Sequence, residues 1–443
     1  PLAAGLIAGA FVARLVLELS ARPWPPVFVV SAGALFAGAG GVIVWRLGNP
    51  RHPSVSSDAG RGFWVLFLLG LYVIWPRRQL SLAVWLLVLV GFVALLGWKK
   101  RAAKPADRAT TMPEKRMFTS PERRADILTF ILALVLYVIT TAPDVLPADS
   151  GEFQIVTSLL GVAHPPGYPL YTMFGWLATK LIPFGNEAYR LNLVSALFAA
   201  GTLTLLAAAV RYWARHLGAS ASAALVGGLA AALTLGSATT FWAQATVANI
   251  RMPTMFAAAL GLYALARYAD TIDEPQRDRS LMLLALALGL GIGHHPSLVF
   301  LAVFFLLYLI LVDPRLPLQP RRWWKAVLIF LITLVPLLYL PLRADAPLAP
   351  SDNALATWDG FKHHITAQGF EGDMFAYANA QDLPQRLVLL PTLFLFQFNS
   401  ALLAAAALGL ILLAWRDWRL LVLLAGGLAL HTFVTITYRA PQT

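Results

Sequence analysis

Asp149 and Glu152 stand three residues apart in a polar stretch that directly follows a hydrophobic run. If Ser150 caps a short helix there, Asp149 precedes the first turn and Glu152 lies within it, so both carboxylates point to one side. Carboxylates beside a membrane are costly to desolvate and are kept where they take a proton, hold a cation or pair with a base. The plainer alternative is a solvated, acidic helix cap. Further along come His164, Pro165, Pro166, Gly167, Tyr168 and Pro169. Three prolines fix φ and remove donors, and Gly167 permits a tight turn, so this segment is expected to be a rigid turn rather than helix. Such a turn would hold His164 and Tyr168 against whatever faces Asp149; its alternative is a connecting loop with His164 as an internally bonded turn residue.

These residues need a scaffold, and composition says which kind. The chain has 443 residues, 58% of them hydrophobic and only 13% charged. Soluble globular chains are about 25% charged, so this composition calls for a lipid solvent and an all-α polytopic fold. Cysteine is absent, which removes disulfides, thiolate metal sites and thiol nucleophiles together. Candidate crossings fall at 1–20, 27–45, 63–76, 80–98, 127–142, 189–210, 221–242, 252–268, 281–293, 297–312, 324–342, 387–414 and 419–437, about a dozen in all. Residues 1–98 read as an N-terminal four-span unit, 99–126 as a basic cytoplasmic linker, and 127–443 as the main transmembrane domain, with the C-terminus open to truncation. The linker is read as an orienting tether, with anionic-lipid binding as the sharper alternative.

Charge then sets orientation. With 99–126 inside, Arg211, Arg215, Arg267, Arg277, Arg279, Arg315, Arg321, Arg322, Lys325, Arg416 and Arg419 also fall inside. The two long outside segments, 143–188 and 343–386, are acidic. Arg77 and Arg78 break the rule. The net charge of +12 is thereby explained as topology, and nucleic-acid binding has no further support. Gly291 to Pro296 breaks a hydrophobic run in the outer half of the bilayer; His294 and His295 there either bond backbone groups freed by the break or meet a substrate. The small residues of 31–41 read as helix packing, and the 14 tryptophans as interfacial anchors.

The motifs DSGEF at 149–153, LGVAHPPGYPL at 160–170, PFGN at 183–186 and YRLN at 189–192, with GHHP at 293–296 and WDGF at 358–361, resemble the protein O-mannosyltransferase-like multispan family. That family belongs to the GT-C superfamily of glycosyltransferases that use polyprenyl-phosphate sugars. The resemblance runs from about residue 126 to the end; residues 1–98 match nothing in it. It implies a GT-C-like helical bundle with a catalytic first extracytoplasmic loop, preceded by about four extra spans. It implies transfer of a sugar from a polyprenyl-phosphate carrier to a protein or glycolipid acceptor, at the outer face of the plasma (inner) membrane. The base role falls on Asp149, with Glu152 as alternative or assistant. A single base with a phosphate leaving group suits a one-step inverting displacement. Binding of the donor falls on His164, Tyr168, Arg190, His294, His295 and Arg343, with Arg251 and Lys362 as further outside cations. No metal site is assigned, a divalent ion on Asp149 and Glu152 being the less favoured alternative. Expected partners are the bilayer, the lipid-linked donor, the acceptor, and other membrane subunits through residues 1–98. The competing readings are a lipid or solute transporter and a non-catalytic subunit of a larger membrane assembly.

Overall fold

The computed structural model describes residues 2–19, 69–73, 83, 86, 90, 120–271 and 273–439. Among these the regular structure is entirely helical, and the protein is an all-α polytopic membrane protein. The expected spans at 27–45, 63–76 and 80–98, the 31–41 stripe, Arg77, Arg78 and most of the basic linker lie largely or wholly outside the described residues. The chain divides into two compact units, Pro1–Lys115 with Phe398–Leu412, and Arg116–Gln397 with Leu413–Thr443.

In the smaller unit α1 (Leu2–Leu19) packs on a helical turn, Gly70–Val73. The rings of Phe11 and Tyr72 lie 5.2 Å apart, and the Arg14 guanidinium donates to the Val73 carbonyl at 2.9 Å.

The larger unit carries the chemistry. It contains α2 (Ser120–Thr140), α3 (Ala148–Leu159), α4 (Pro169–Leu181), α5 (Glu187–His216), α6 (Ala221–Gly236), α7 (Thr239–Ala245), α8 (Arg251–Asp270), α9 (Glu274–His294), α10 (Leu298–Val312), α11 (Pro320–Thr333), α12 (Trp358–Ile365) and α13 (Asp382–Gln397). After α14 (Ser400–Arg416), which belongs to the smaller unit as far as Leu412, it ends in the helical span Trp418–Thr437. Helix α5 is the central beam, packing against α2, α6 and α8. Its start is fixed by Asn186, whose side-chain oxygen accepts the Tyr189 N–H at 2.8 Å. Alanines 196, 199, 200, 207 and 209 are fully buried along it, which lets neighbouring backbones come close. Gly228 of α6 approaches so near that a Cβ would sit 2.5 Å from the Ala207 carbonyl oxygen. At 30 residues α5 is about 45 Å long, enough to join two chemically different ends of the unit.

At one end, ionic pairs tie the elements together. Arg211 pairs with Asp126 and Arg215 with Glu122, joining α5 to α2. Arg322 pairs with Asp278 at 2.9 Å and Asp313 at 3.2 Å, and the Tyr268 hydroxyl donates to Asp313 at 2.7 Å. Trp213, Tyr268, Phe305 and Tyr308 form the buried core beside them. The basic loops expected on one side of the membrane thus assemble at one end of the bundle. At the other end Phe153, Val156, Tyr168, Tyr171, Leu191 and Val194 form a separate core.

Several expectations on spans change. The run 221–242 is two helices bent by 74° at Ser237 and Ala238, and 387–414 is α13 and α14, broken at Phe398 and Asn399. Asn399 caps α14 by accepting the Leu402 N–H at 3.0 Å, a local bond that an apolar profile does not reveal. Among the described residues three helical spans are long and apolar enough to cross a membrane alone, Glu187–His216, Pro320–Leu342 and Trp418–Thr437, or up to five if each bent pair counts once. The shortfall from about a dozen has a physical cause beyond the undescribed stretch. Helices α2 and α9 spend their first turns on charged residues, and α10 has only 15 residues.

Candidate functional site

Helix α3 begins after Pro147, with no side-chain cap, so Ser150 is an internal residue and not the cap expected from the sequence. A proline can start a helix because its missing N–H is not needed there. Asp149 still falls in the first turn, exposed, and Glu152 follows one turn on, half-buried. The helix stops at Leu160, which turns left-handed (φ +49°). The expected turn follows. The Gly167 N–H donates to the His164 carbonyl at 2.8 Å, and Gly167 has φ +91°, a conformation that L side chains rarely adopt. Tyr168 is also left-handed (φ +45°), at a cost of order 1 kcal/mol, and Pro169 opens α4.

This backbone brings Glu152 and His164 together. The Glu152 carboxylate accepts the His164 backbone N–H at 2.8 Å and lies 2.6 Å from ring Nδ1. Burial alone would raise the Glu152 pKa, but these bonds hold it below its ordinary value. The bond to Glu152 pushes the His164 imidazole up against the opposing effect of burial, with Asp149 adding to the upward shift. The Asp149 carboxylate has no hydrogen-bond partner among the described residues.

Tyr168 is the hub of the site. Its ring centroid lies 5.4 Å from Phe153, 5.4 Å from His164, 5.7 Å from His294 and 5.9 Å from His295, the last nearly parallel. Burial, then the charges of Asp149 and Glu152, push its phenol up, so the hydroxyl stays a neutral donor. Helix α9 ends at His294, so the break expected at 291–296 falls at His295 to Ser297. The buried His294 contacts the Ile250 carbonyl through Nε2 at 3.0 Å, which requires the proton on Nε2 and leaves Nδ1 unpartnered. His295 accepts the Ser297 N–H on Nδ1 at 3.1 Å, leaving Nε2 as its donor. Arg251 opens α8 immediately after Ile250 and is exposed, with one bond to Gln244 at 3.2 Å. Its charge acts on both Tyr168 and His295.

The structure therefore gathers Asp149, Glu152, His164, Tyr168, His294 and His295. Two other candidates bind backbone instead. Arg190 donates to the carbonyls of Thr179 (2.7 Å) and Phe184 (3.1 Å), clasping the end of α4. Arg343 donates to the Leu160 carbonyl at 3.0 Å, beside the Tyr339 hydroxyl at 2.7 Å from the same oxygen. Lys362 pairs with Asp359 at 3.3 Å on the surface. Among the described residues no three His, Asp or Glu side chains are disposed so that they could hold one metal ion.

Sequence reasoning missed two supports. Asn192, fully buried, accepts from Gln154 (3.0 Å) and the Ala248 N–H (2.8 Å) and donates to the Ala142 carbonyl (2.8 Å). Gln154 in turn accepts the Leu146 N–H at 3.0 Å, so the loop before α3 is bolted to α5. The sequence signal is a Gln standing among the apolar positions of α3. The second support is His364, buried on α12, whose Nε2 lies 3.2 Å from the Ala163 carbonyl.

Residues 149–318 match the family described as Protein O-mannosyl-transferase TMEM260 N-terminal domain. A Mus musculus protein named Protein O-mannosyl-transferase TMEM260 is 41% identical over 83 residues, 19% of this chain and 12% of its own length. A Dictyostelium discoideum protein, Protein O-mannosyl-transferase tmem260, is 32% identical over 92 residues, 20% of this chain and 11% of its own. The matched stretches thus span about a tenth of those relatives. No solved structure matches. The family match opens at Asp149 and includes His164, Tyr168 and His294–His295, and it supports an O-mannosyltransferase-like family for this part of the chain.

Proposed function

We propose that this chain is the membrane part of a glycosyltransferase that moves a sugar, mannose by the names of its relatives, from a polyprenyl-phosphate carrier to a protein or glycolipid acceptor. The observation that carries the reading is the division of labour between two carboxylates. Glu152 is committed to His164, whereas Asp149, beside the same aromatic cluster, is uncommitted and exposed.

Asp149 acts as general base. It takes the proton of the acceptor hydroxyl as that oxygen attacks C1 of the sugar. The C1–O bond to phosphate breaks, its electron pair leaves on the phosphate oxygen, and configuration at C1 inverts. No second carboxylate flanking the bond is required. Negative charge builds on the departing phosphate, and preorganised donors there stabilise the transition state. Arg251 and the His164 imidazolium supply charge, and the Tyr168 hydroxyl and His295 supply neutral donors. Its bond to Glu152 pushes the His164 imidazole up, which favours the protonated ring. His294 works one layer back, fixing the Ile250 carbonyl just before Arg251. Arg190 and Arg343 shape the loop rather than touch the donor.

In this proposal the reaction takes place at the extracytoplasmic face of the plasma membrane. The support is the positive-inside rule: the basic loops gather at the far end of α5, and the site stands at the opposite end.

The test is Asp149→Asn in the full chain in lipid nanodiscs, assayed with polyprenyl-phosphate mannose and a protein or glycolipid acceptor. Transfer should be lost while thermal melting is unchanged. A variant that retains full turnover overturns the assignment of Asp149 as base.

A further inference from the structure

Three carbonyls in the segment after α3 are held by side chains from far along the chain. The Tyr339 hydroxyl lies 2.7 Å from the Leu160 oxygen and 2.8 Å from that of Gly161, and Arg343 donates to Leu160. His364 takes the third, Ala163, from α12. A carbonyl only accepts, so Nε2 of His364 carries the proton. Burial first, then the neighbouring His164, lowers the His364 pKa, which keeps its ring neutral.

The Ala163 carbonyl and the His164 N–H belong to one peptide group. In a planar trans peptide they point in opposite directions. One side receives the His364 proton, and the other donates to Glu152. Glu152 then closes onto the His164 ring. Four groups thus form one chain: the His364 ring, the 163–164 peptide, the Glu152 carboxylate and the His164 imidazole. Bonds in such chains polarise one another and strengthen together. There is no slack behind it, because Gly167 lies so close to α12 that a Cβ there would stand 3.1 Å from His364 Nε2 and 2.6 Å from the Leu340 side chain.

We propose that His364 is a positioning residue for the candidate site: by clamping the 163–164 peptide it sets the register in which Glu152 grips His164. It touches no substrate in this scheme, and its effect passes through the turn. The proposal concerns the same site as the transfer reaction but is read from the titration of His164, so its failure and the failure of the transfer reading are told apart.

The experiment is ring-nitrogen NMR of the full chain in nanodiscs, with labelled histidine and the His164 signal assigned by His164→Asn. The groups facing His164 are Glu152 and Asp149 from α3, Tyr168 at the start of α4, His295 at the end of α9, and His364. His364→Leu keeps bulk and removes the donor. Its His164 midpoint should fall toward the ordinary 6.5. His364→Gln places an amide Nε2 at the same remove from Cβ and should restore the raised midpoint. If the leucine variant does not fold, His364→Asn, polar but too short to reach Ala163, replaces it. An unchanged midpoint in the donorless variant overturns the proposal. So does an equal fall in the glutamine variant, which would assign His364 to packing alone.

Discussion

At one end of the larger unit Asp126, Glu122, Asp278 and Asp313 each meet an arginine. At the other, Glu152 meets a histidine, and Asp149 meets no hydrogen-bonding side chain among the described residues. Both ends bring charged groups to the termini of α5, but the carboxylates of the first are tied to arginines between helices, whereas at the second Glu152 is held within one loop and Asp149 stands exposed beside it. Saturated charge fastens helices; unsaturated charge, held in place by saturated neighbours, is what can meet an incoming molecule. Glu152 shows the two roles meeting, since its saturation by His164 leaves Asp149 available.

The largest expected contrast lies between the two α3 carboxylates. Asp149→Asn should lower kcat by about 10²–10⁴-fold, the range for losing a general base. Glu152→Gln should leave more activity than that, because it disturbs the orientation of His164 rather than removing the base. Equal losses would erase the distinction between the two residues.

At the saturated end the effect should appear in stability instead. Arg211 is 1% exposed, so Arg211→Leu strands Asp126 and should cost about 3 kcal/mol, read by denaturant unfolding. Turnover per folded molecule should hold. A variant that melts normally but loses turnover would show that the two ends are not separable.

Within the site end, two arginines divide in the same way. Arg251→Ala should raise the donor KM by about tenfold, the scale of one charge-assisted hydrogen bond. Arg190→Ala should leave that KM alone and lower the melting temperature, since its bonds go to Thr179 and Phe184.

The pair Glu152–His164 gives a pH signature. Glu152, held below its ordinary 4.5, contributes stability present above that value and lost as pH falls through the lowered midpoint. His164, held above 6.5, contributes stability complete below 6.5 and lost as pH rises through the raised midpoint. The melting difference between the native protein and Glu152→Gln should therefore be widest between 4.5 and 6.5 and narrow on both sides. The smallest effect belongs to the exposed pair Lys180–Glu187: Lys180→Ala should change stability by no more than about 0.5 kcal/mol.

Much of the site was legible because its chemistry is local. The acids, the proline turn and the paired histidines announce themselves by residue type and spacing, and the fold then brings Tyr168 onto His294 and His295. What could not be read is long-range or capped by a single bond. His364 reaches Ala163 across 201 residues, and nothing in either local sequence names the other. Arg190 and Arg343 look like free cations until the backbone carbonyls they hold are visible. Ser150 has the right chemistry for a cap, but Pro147 begins the helix earlier. The division of 387–414 turns on Asn399, one polar residue inside a long apolar profile.

The Asn192 amide is read on both faces, the oxygen by two donors and the nitrogen by the Ala142 carbonyl. An aspartate has nearly the same size and shape, yet it would set oxygen against oxygen in a fully enclosed space. Here an isostere is the harsher exchange: the position discriminates polarity over volume, and a change invisible to any steric measure would unfasten the loop that presents Asp149.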